Sequence, residues 1–138
     1  MSEKSKNDWI GVDLDGTLAY YDNWVAWNVI GDPIKPMVDR IRNWINLGYE
    51  VRIFTARVAY ASDFCFVTKQ PFTRDMIIEE IHRWLRERAD LPILAVTAVK
   101  DFKMIELWDD RCVQVIPNTG MTIAEEAIST RIALSGKP

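Results

Sequence analysis

The chain has 138 residues, 49% hydrophobic and 27% charged, as expected of one soluble globular domain able to bury a core without disulfides or a structural metal. No apolar run approaches bilayer length, and residues 1–8 lack the apolar stretch after a basic start that marks a secretory signal, so a cytoplasmic protein with no membrane partner is expected. A net charge of −3 with a pI near 5.2 speaks against a broad nucleic-acid surface, and Cys65 and Cys112, without C-x-x-C spacing or a histidine cluster, speak against zinc or redox chemistry and are expected as buried or half-buried thiols.

Trp9–Asp13 is a short apolar run and predicts the first strand. It runs out into Leu14-Asp15-Gly16-Thr17, where Gly16 lets the backbone turn and bring a main-chain carbonyl near the two carboxylates. Oxygen-only ligation of that kind suits magnesium. The alternative is an Asp-rich turn whose side chains bond nearby backbone N–H groups. Tyr20, Tyr21, Trp24 and Trp27 follow without a regular period. They are expected chiefly to pack in the core, the alternative being a flap that stacks on a base or sugar.

After Pro36, the residues Met37, Val38, Ile41, Trp44, Ile45 and Leu47 recur at helical spacing and stop at Gly48, which predicts a helix of about three turns. Residues 51–54 predict a second strand, with Thr55 and Arg57 at its tip, and residues 58–72 carry no clear pattern. Thr73 is expected to cap a helix bearing Met76, Ile77, Ile81, Trp84 and Leu85 on one face, with His82 at the surface. Residues 91–99 predict a third strand followed by Lys100, residues 105–108 a fourth ending at Asp109-Asp110, residues 112–116 a fifth, and Ile123–Leu134 a last helix.

Strands alternating with helices predict a Rossmann-like, three-layer α/β sandwich around a mostly parallel five-stranded sheet. In such sheets ligands bind outside the carboxyl ends of the strands. Asp13, Asp15, Thr55, Lys100, Asp109 and Asp110 all fall at or just after such an end, so the fold gathers them on one rim. Several carboxylates there would repel unless a cation held them, and a hydroxyl and an ammonium beside them complement a phosphoryl group. Asp13 is then the candidate nucleophile and Asp15 the candidate acid and base. Thr55 and Lys100 would receive the phosphoryl group, and Asp109 and Asp110 would complete a metal site with Asp13. Arg57 would either grip a substrate phosphate with both arms or form an ordinary surface ion pair, and Arg111 would steady the acidic pair.

The order Asp13-Leu14-Asp15-Gly16-Thr17, Thr55 after a strand, Lys100, then Trp108-Asp109-Asp110-Arg111 resembles the four motifs of the haloacid dehalogenase superfamily. The resemblance implies a requirement for Mg2+ and an aspartyl-phosphate on Asp13. It also implies that Asp15 is the acid and base that separates phosphatases from dehalogenases. The metal would take the Asp13 side chain, the main-chain carbonyl of Asp15, and Asp109 or Asp110, with Asp109 favoured as the direct ligand. Lys103 also lies near the third motif, but Lys100, just after a predicted strand, fits it better. The segments 18–35 and 58–73 are too short for a large cap domain, so the site is expected to be open. A phosphorylated small molecule or nucleotide would suit it, as would a nucleic-acid end, and residues 109–115 are similar to the last motif of polynucleotide kinase phosphatase domains. The rivals are a non-catalytic phosphate- or metal-binding module and a signalling receiver domain, whose acidic pair and lysine come in the reverse order. A dinucleotide-binding oxidoreductase lacks its G-x-G-x-x-G.

Overall fold

Residues 8–65 and 69–134 are described in the computed structural model of the chain, so the polar start at residues 1–7 lies outside the described residues. The elements run β1 (Trp9–Asp13), α1 (Lys35–Asn46), β2 (Glu50–Phe54), a 3-10 turn (Ala56–Val58), β3 (Ser62–Cys65), β4 (Gln70–Thr73), α2 (Arg74–Glu87), β5 (Ala95–Thr97), β6 (Met104–Trp108) and α3 (Ile123–Leu134). The main sheet has the order β5-β2-β1-β6, and every pairing in it is parallel. Strands β3 and β4 form a separate antiparallel hairpin. No helix of the described residues is long and apolar enough to cross a membrane.

Side chains alternate along β1, so Ile10 and Val12 face one way and Trp9 and Gly11 the other. Ile10 and Val12, with Val51 and Ile53 of β2, join one buried cluster that includes Val38 and Ile41 of α1 and Ile77, Ile81 and Leu85 of α2. Both helices therefore cover the same face. Right-handed crossovers require this, because β1 to β2 and β2 to β5 step in one direction along the sheet. The predicted caps hold: Gly48 ends the first helical segment at φ +91°, and the Thr73 hydroxyl accepts from the Met76 N–H at 3.2 Å.

Residues 98–103 must carry the chain back from β5 at one edge to β6 at the other. Their anchor is Trp9, which is fully buried. Its indole N–H donates to Asp101 Oδ1 at 2.9 Å, and the Arg52 guanidinium lies 4.6 Å from its ring centre. A Cβ on neighbouring Gly11 would come within 2.8 Å of the Met104 side chain.

Three expectations need correction. Residues 112–116 form no strand, since Val115 makes only an isolated bridge to Thr122, and the main sheet has four strands rather than five. The third strand shrinks to Ala95–Thr97, because the tip of β2 offers pairing only at Arg52, Ile53 and Phe54 and Pro92 has no N–H to give, while Leu91 and Leu94 go into the core instead. Helix α3 spans its predicted residues, but its described side chains are exposed, so it does not supply the second covering layer of a three-layer sandwich.

Candidate active site

Strand β1 leads to β2 on one side, and β6 arrives on its other side only after the chain has crossed back. The carboxyl ends of β1 and β6 thus flank the point where strand order reverses, the place where open α/β sheets bind ligands. Asp13 ends β1, and Asp109 and Asp110 follow β6 directly. One carboxylate oxygen from each of the three lies within 4.8 Å of the others. Three carboxylates placed so could hold a divalent cation, for which hard oxygen donors are suited.

Thr17 and Gly16 hold this cluster together. The Thr17 hydroxyl accepts from the Asp110 N–H at 3.0 Å. It lies 3.1 Å from Asp110 Oδ1 and 3.3 Å from Asp13 Oδ2, and with a single proton it can donate to one of them at a time. Gly16 sits at φ +94°, and a Cβ there would stand 2.6 Å from Asp110 Oδ2. Only glycine allows both that backbone conformation and the approach of the carboxylate. Asp109 Oδ1 accepts from the Arg111 N–H at 2.8 Å, so Arg111 steadies the acidic pair through its backbone.

The crowding of negative charge shifts two of these carboxyls in opposite directions. Burial first, then a hydrogen bond shared with Asp110 and the charges of Asp109 and Asp110, push the Asp13 carboxyl up to about 7, against the Thr17 hydroxyl. Asp110 moves the other way: burial opposes the shift, but hydrogen bonds from Asp13 and Thr17 and the nearby Arg111 charge bring it below its ordinary value. Without a cation, the two carboxyls are thus pushed apart, Asp13 upward and Asp110 downward. A cation would separate the two charges.

Asp15 is not in this cluster. Arg57 grips it with both arms, Nε to Oδ2 at 2.7 Å and Nη2 to Oδ1 at 2.8 Å, and the side chains are 5% and 18% exposed. The same guanidinium donates to the carbonyls of Trp27 and Val29 at 3.0 and 2.8 Å, and its carbon stands 4.7 Å from the Trp24 ring centre. Arg57 is thus a buried partner of Asp15 rather than a surface ion pair. Thr55, at the tip of β2, is buried, and its hydroxyl accepts from the Arg57 N–H at 3.2 Å, which leaves its proton to donate.

Lys100 stands apart from the carboxylates. It is exposed and makes no ion pair among the described residues, but its charge is felt at the Cys112 thiol. Desolvation and the carboxylates of Asp109, Asp13 and Asp110 raise that thiol, and Lys100 opposes them. Cys112 is exposed rather than buried, and the side chain of Cys65 lies outside what is described. The backbone N–H of Lys103 bonds Asp101, and its carbonyl accepts from Trp9, so Lys103 belongs to the crossing segment.

A cavity of about 390 Å³ opens beside Asp13, with Asp15, Thr55, Arg57 and Asp109 on its wall. Its rim comes from the two short inserts, the aromatic loop after β1 and the β3–β4 hairpin, which meet where Trp27 stacks on Phe72 with ring centres 5.7 Å apart. Trp24 lines the cavity and is half exposed, so it is not a core residue as expected. His82 is half-buried, with Nε2 bonded to the Leu94 carbonyl at 2.9 Å. Sequence reasoning missed the roles of Thr17 and of the Arg57–Asp15 pair. Thr17 lies inside the D-x-D-G-T motif and could have been found there; no local signal marks the pair, whose members are 42 residues apart. No protein-family model, no curated protein and no solved structure matches the chain.

Proposed function

We propose that this protein is a magnesium-dependent phosphohydrolase of phosphomonoesters, built on a haloacid-dehalogenase-like variant of the Rossmann-like fold. The observation that carries the proposal is the convergence of Asp13, Asp109 and Asp110 at the β1/β6 switch point, beside a cavity with Thr55 on its wall. Asp13 and Asp109 would hold Mg2+ together with the main-chain carbonyl of Asp15, with Asp110 in support. When bound, the ion would neutralise the carboxylates and the charge on the phosphoryl oxygens.

A carboxylate oxygen of Asp13 attacks phosphorus, and the bond from phosphorus to the ester oxygen breaks. Asp15, once it has taken up a proton from solvent and released one of its bonds to Arg57, hands that proton to the departing oxygen. Water then attacks the phosphorus of the acyl-phosphate and gives its proton to Asp15, which restores Asp13 and frees inorganic phosphate. The Thr55 hydroxyl donates to a phosphoryl oxygen. Lys100, three residues after β5, would offset the charge on the transferred group. Monoester hydrolysis is among the slowest uncatalysed reactions, with accelerations up to ~10²¹, so these contributions must combine.

The test is phosphate release from an aryl phosphate and from nucleoside monophosphates and phosphorylated oligonucleotides, with magnesium or with chelator. Release is expected only with magnesium, and Asp13→Asn is expected to abolish it. A folded Asp13→Asn variant that keeps wild-type turnover would overturn the role of Asp13, and a folded wild-type protein that binds magnesium without turnover would favour a non-catalytic binding module.

A further inference from the structure

We propose that the substrate's leaving group carries a planar aromatic base, as a nucleoside does, selected by Trp24 and Tyr60; the proposal rests on the phosphohydrolase reading above and specifies its substrate. The cavity beside Asp13 is lined by five aromatic side chains, Tyr21, Trp24, Phe54, Tyr60 and Phe72. Its volume of about 390 Å³ is that of a small-molecule site. Large aromatic residues are normally mostly buried, yet Trp24 is 50% and Tyr60 71% exposed, both on this wall. Ring faces turned to a cavity are platforms on which a base can stack.

Trp24 is also set in place beforehand. The Arg57 guanidinium lies against its ring at 4.7 Å and is itself fixed by Asp15 and the carbonyls of Trp27 and Val29. A ring ordered before the ligand arrives loses little freedom on stacking, so more of the contact appears as affinity.

A leaving group without a planar ring, such as glycerol, has no face to lay against these aromatic side chains, whereas the base of a nucleoside is flat and does.

The experiment compares kcat/KM for a nucleoside 5′-monophosphate and for glycerol phosphate, which presents the same phosphate group without a ring. Wild type, Trp24→Ala, Trp24→Phe and Tyr60→Ala are assayed, and adenosine, which has no phosphate, is titrated into each. Wild type is expected to prefer the nucleotide by about tenfold or more, with the preference falling towards unity in both alanine variants and partly kept in Trp24→Phe. Magnesium-dependent hydrolysis of both substrates without preference, or a preference untouched in both alanine variants, would overturn the nucleoside proposal and leave the phosphohydrolase standing. No hydrolysis, with adenosine binding that the alanine variants lose, would overturn the phosphohydrolase and support ring recognition. Neither hydrolysis nor adenosine binding would overturn both.

Discussion

Asp13 is where one side chain links protonation, metal and stability. Burial and the neighbouring carboxylates push its carboxyl up from an ordinary 3.8 to about 7 in the folded, metal-free protein. A group whose folded value is raised contributes stability in full below its unfolded value and loses it as pH climbs through the folded one. The metal-free protein is therefore expected to lose stability on this account between the two values, and denaturant titrations across that window check it. Binding of Mg2+ must displace the same proton, so affinity is expected to rise about tenfold between about pH 6 and about pH 8. A magnesium titration followed by calorimetry at the two pH values, showing equal affinity, would remove Asp13 from the ligand set. The sequence foretold the residue and its neighbours but not its ionisation. D-x-D-G-T and the two acids after a strand are visible in a one-dimensional string, whereas the raised value comes from burial and from Asp110, 97 positions away.

Among the elements, the loop between β1 and α1 was least legible, and its bonding explains why. It has no helix or strand to satisfy its carbonyls, and buried backbone groups must find partners somewhere. They find them on distant side chains: Arg57 bonds the carbonyls of Trp27 and Val29, Arg88 that of Ile30, and the Trp84 indole that of Gly31 at 2.9 Å. Arg88 also pairs with Asp32. A conformation fixed by α2 and the β2 tip leaves no period in the loop's own residues. The helices were legible for the opposite reason, since Met37, Val38 and Ile41, and Ile77, Ile81 and Leu85, meet the same core at local spacing. Trp84→Phe keeps the apolar bulk and removes one bond to the loop, so it is expected to cost about 1 kcal/mol and to speed amide exchange over residues 24–31. Exchange unchanged there, with the same loss of stability, would mean that Trp84 serves packing alone.

In the molecule as a whole, four strands replaced the expected five because residues 112–116 turn back on themselves. The Ile116 N–H bonds the Met121 carbonyl at 2.8 Å, and Val113 and Val115 stay exposed. An apolar alternation signals a strand only where an edge receives it, and the sequence does not say which edges are taken. The same sheet makes the proposed metal a tie between its first and last strands. Saturating Mg2+ is expected to raise the unfolding free energy by about 2.7 kcal/mol at a hundredfold excess over Kd, and Asp109→Asn is expected to reduce the gain. A thermal-unfolding midpoint indifferent to Mg2+ would show that no such tie forms.

The crossing of residues 98–103 bears on how the protein is made. Strands β1, β2 and β5 with α1 and α2 are contiguous in sequence, while β6 joins β1 only after the crossing segment has passed Trp9. Asp13 is among the first residues synthesised, and Asp109 and Asp110 come only with the last strand. A nascent chain thus carries only one of the three carboxylates of its acidic centre until β6 has emerged, and the proposed chemistry stays silent until the sheet is complete.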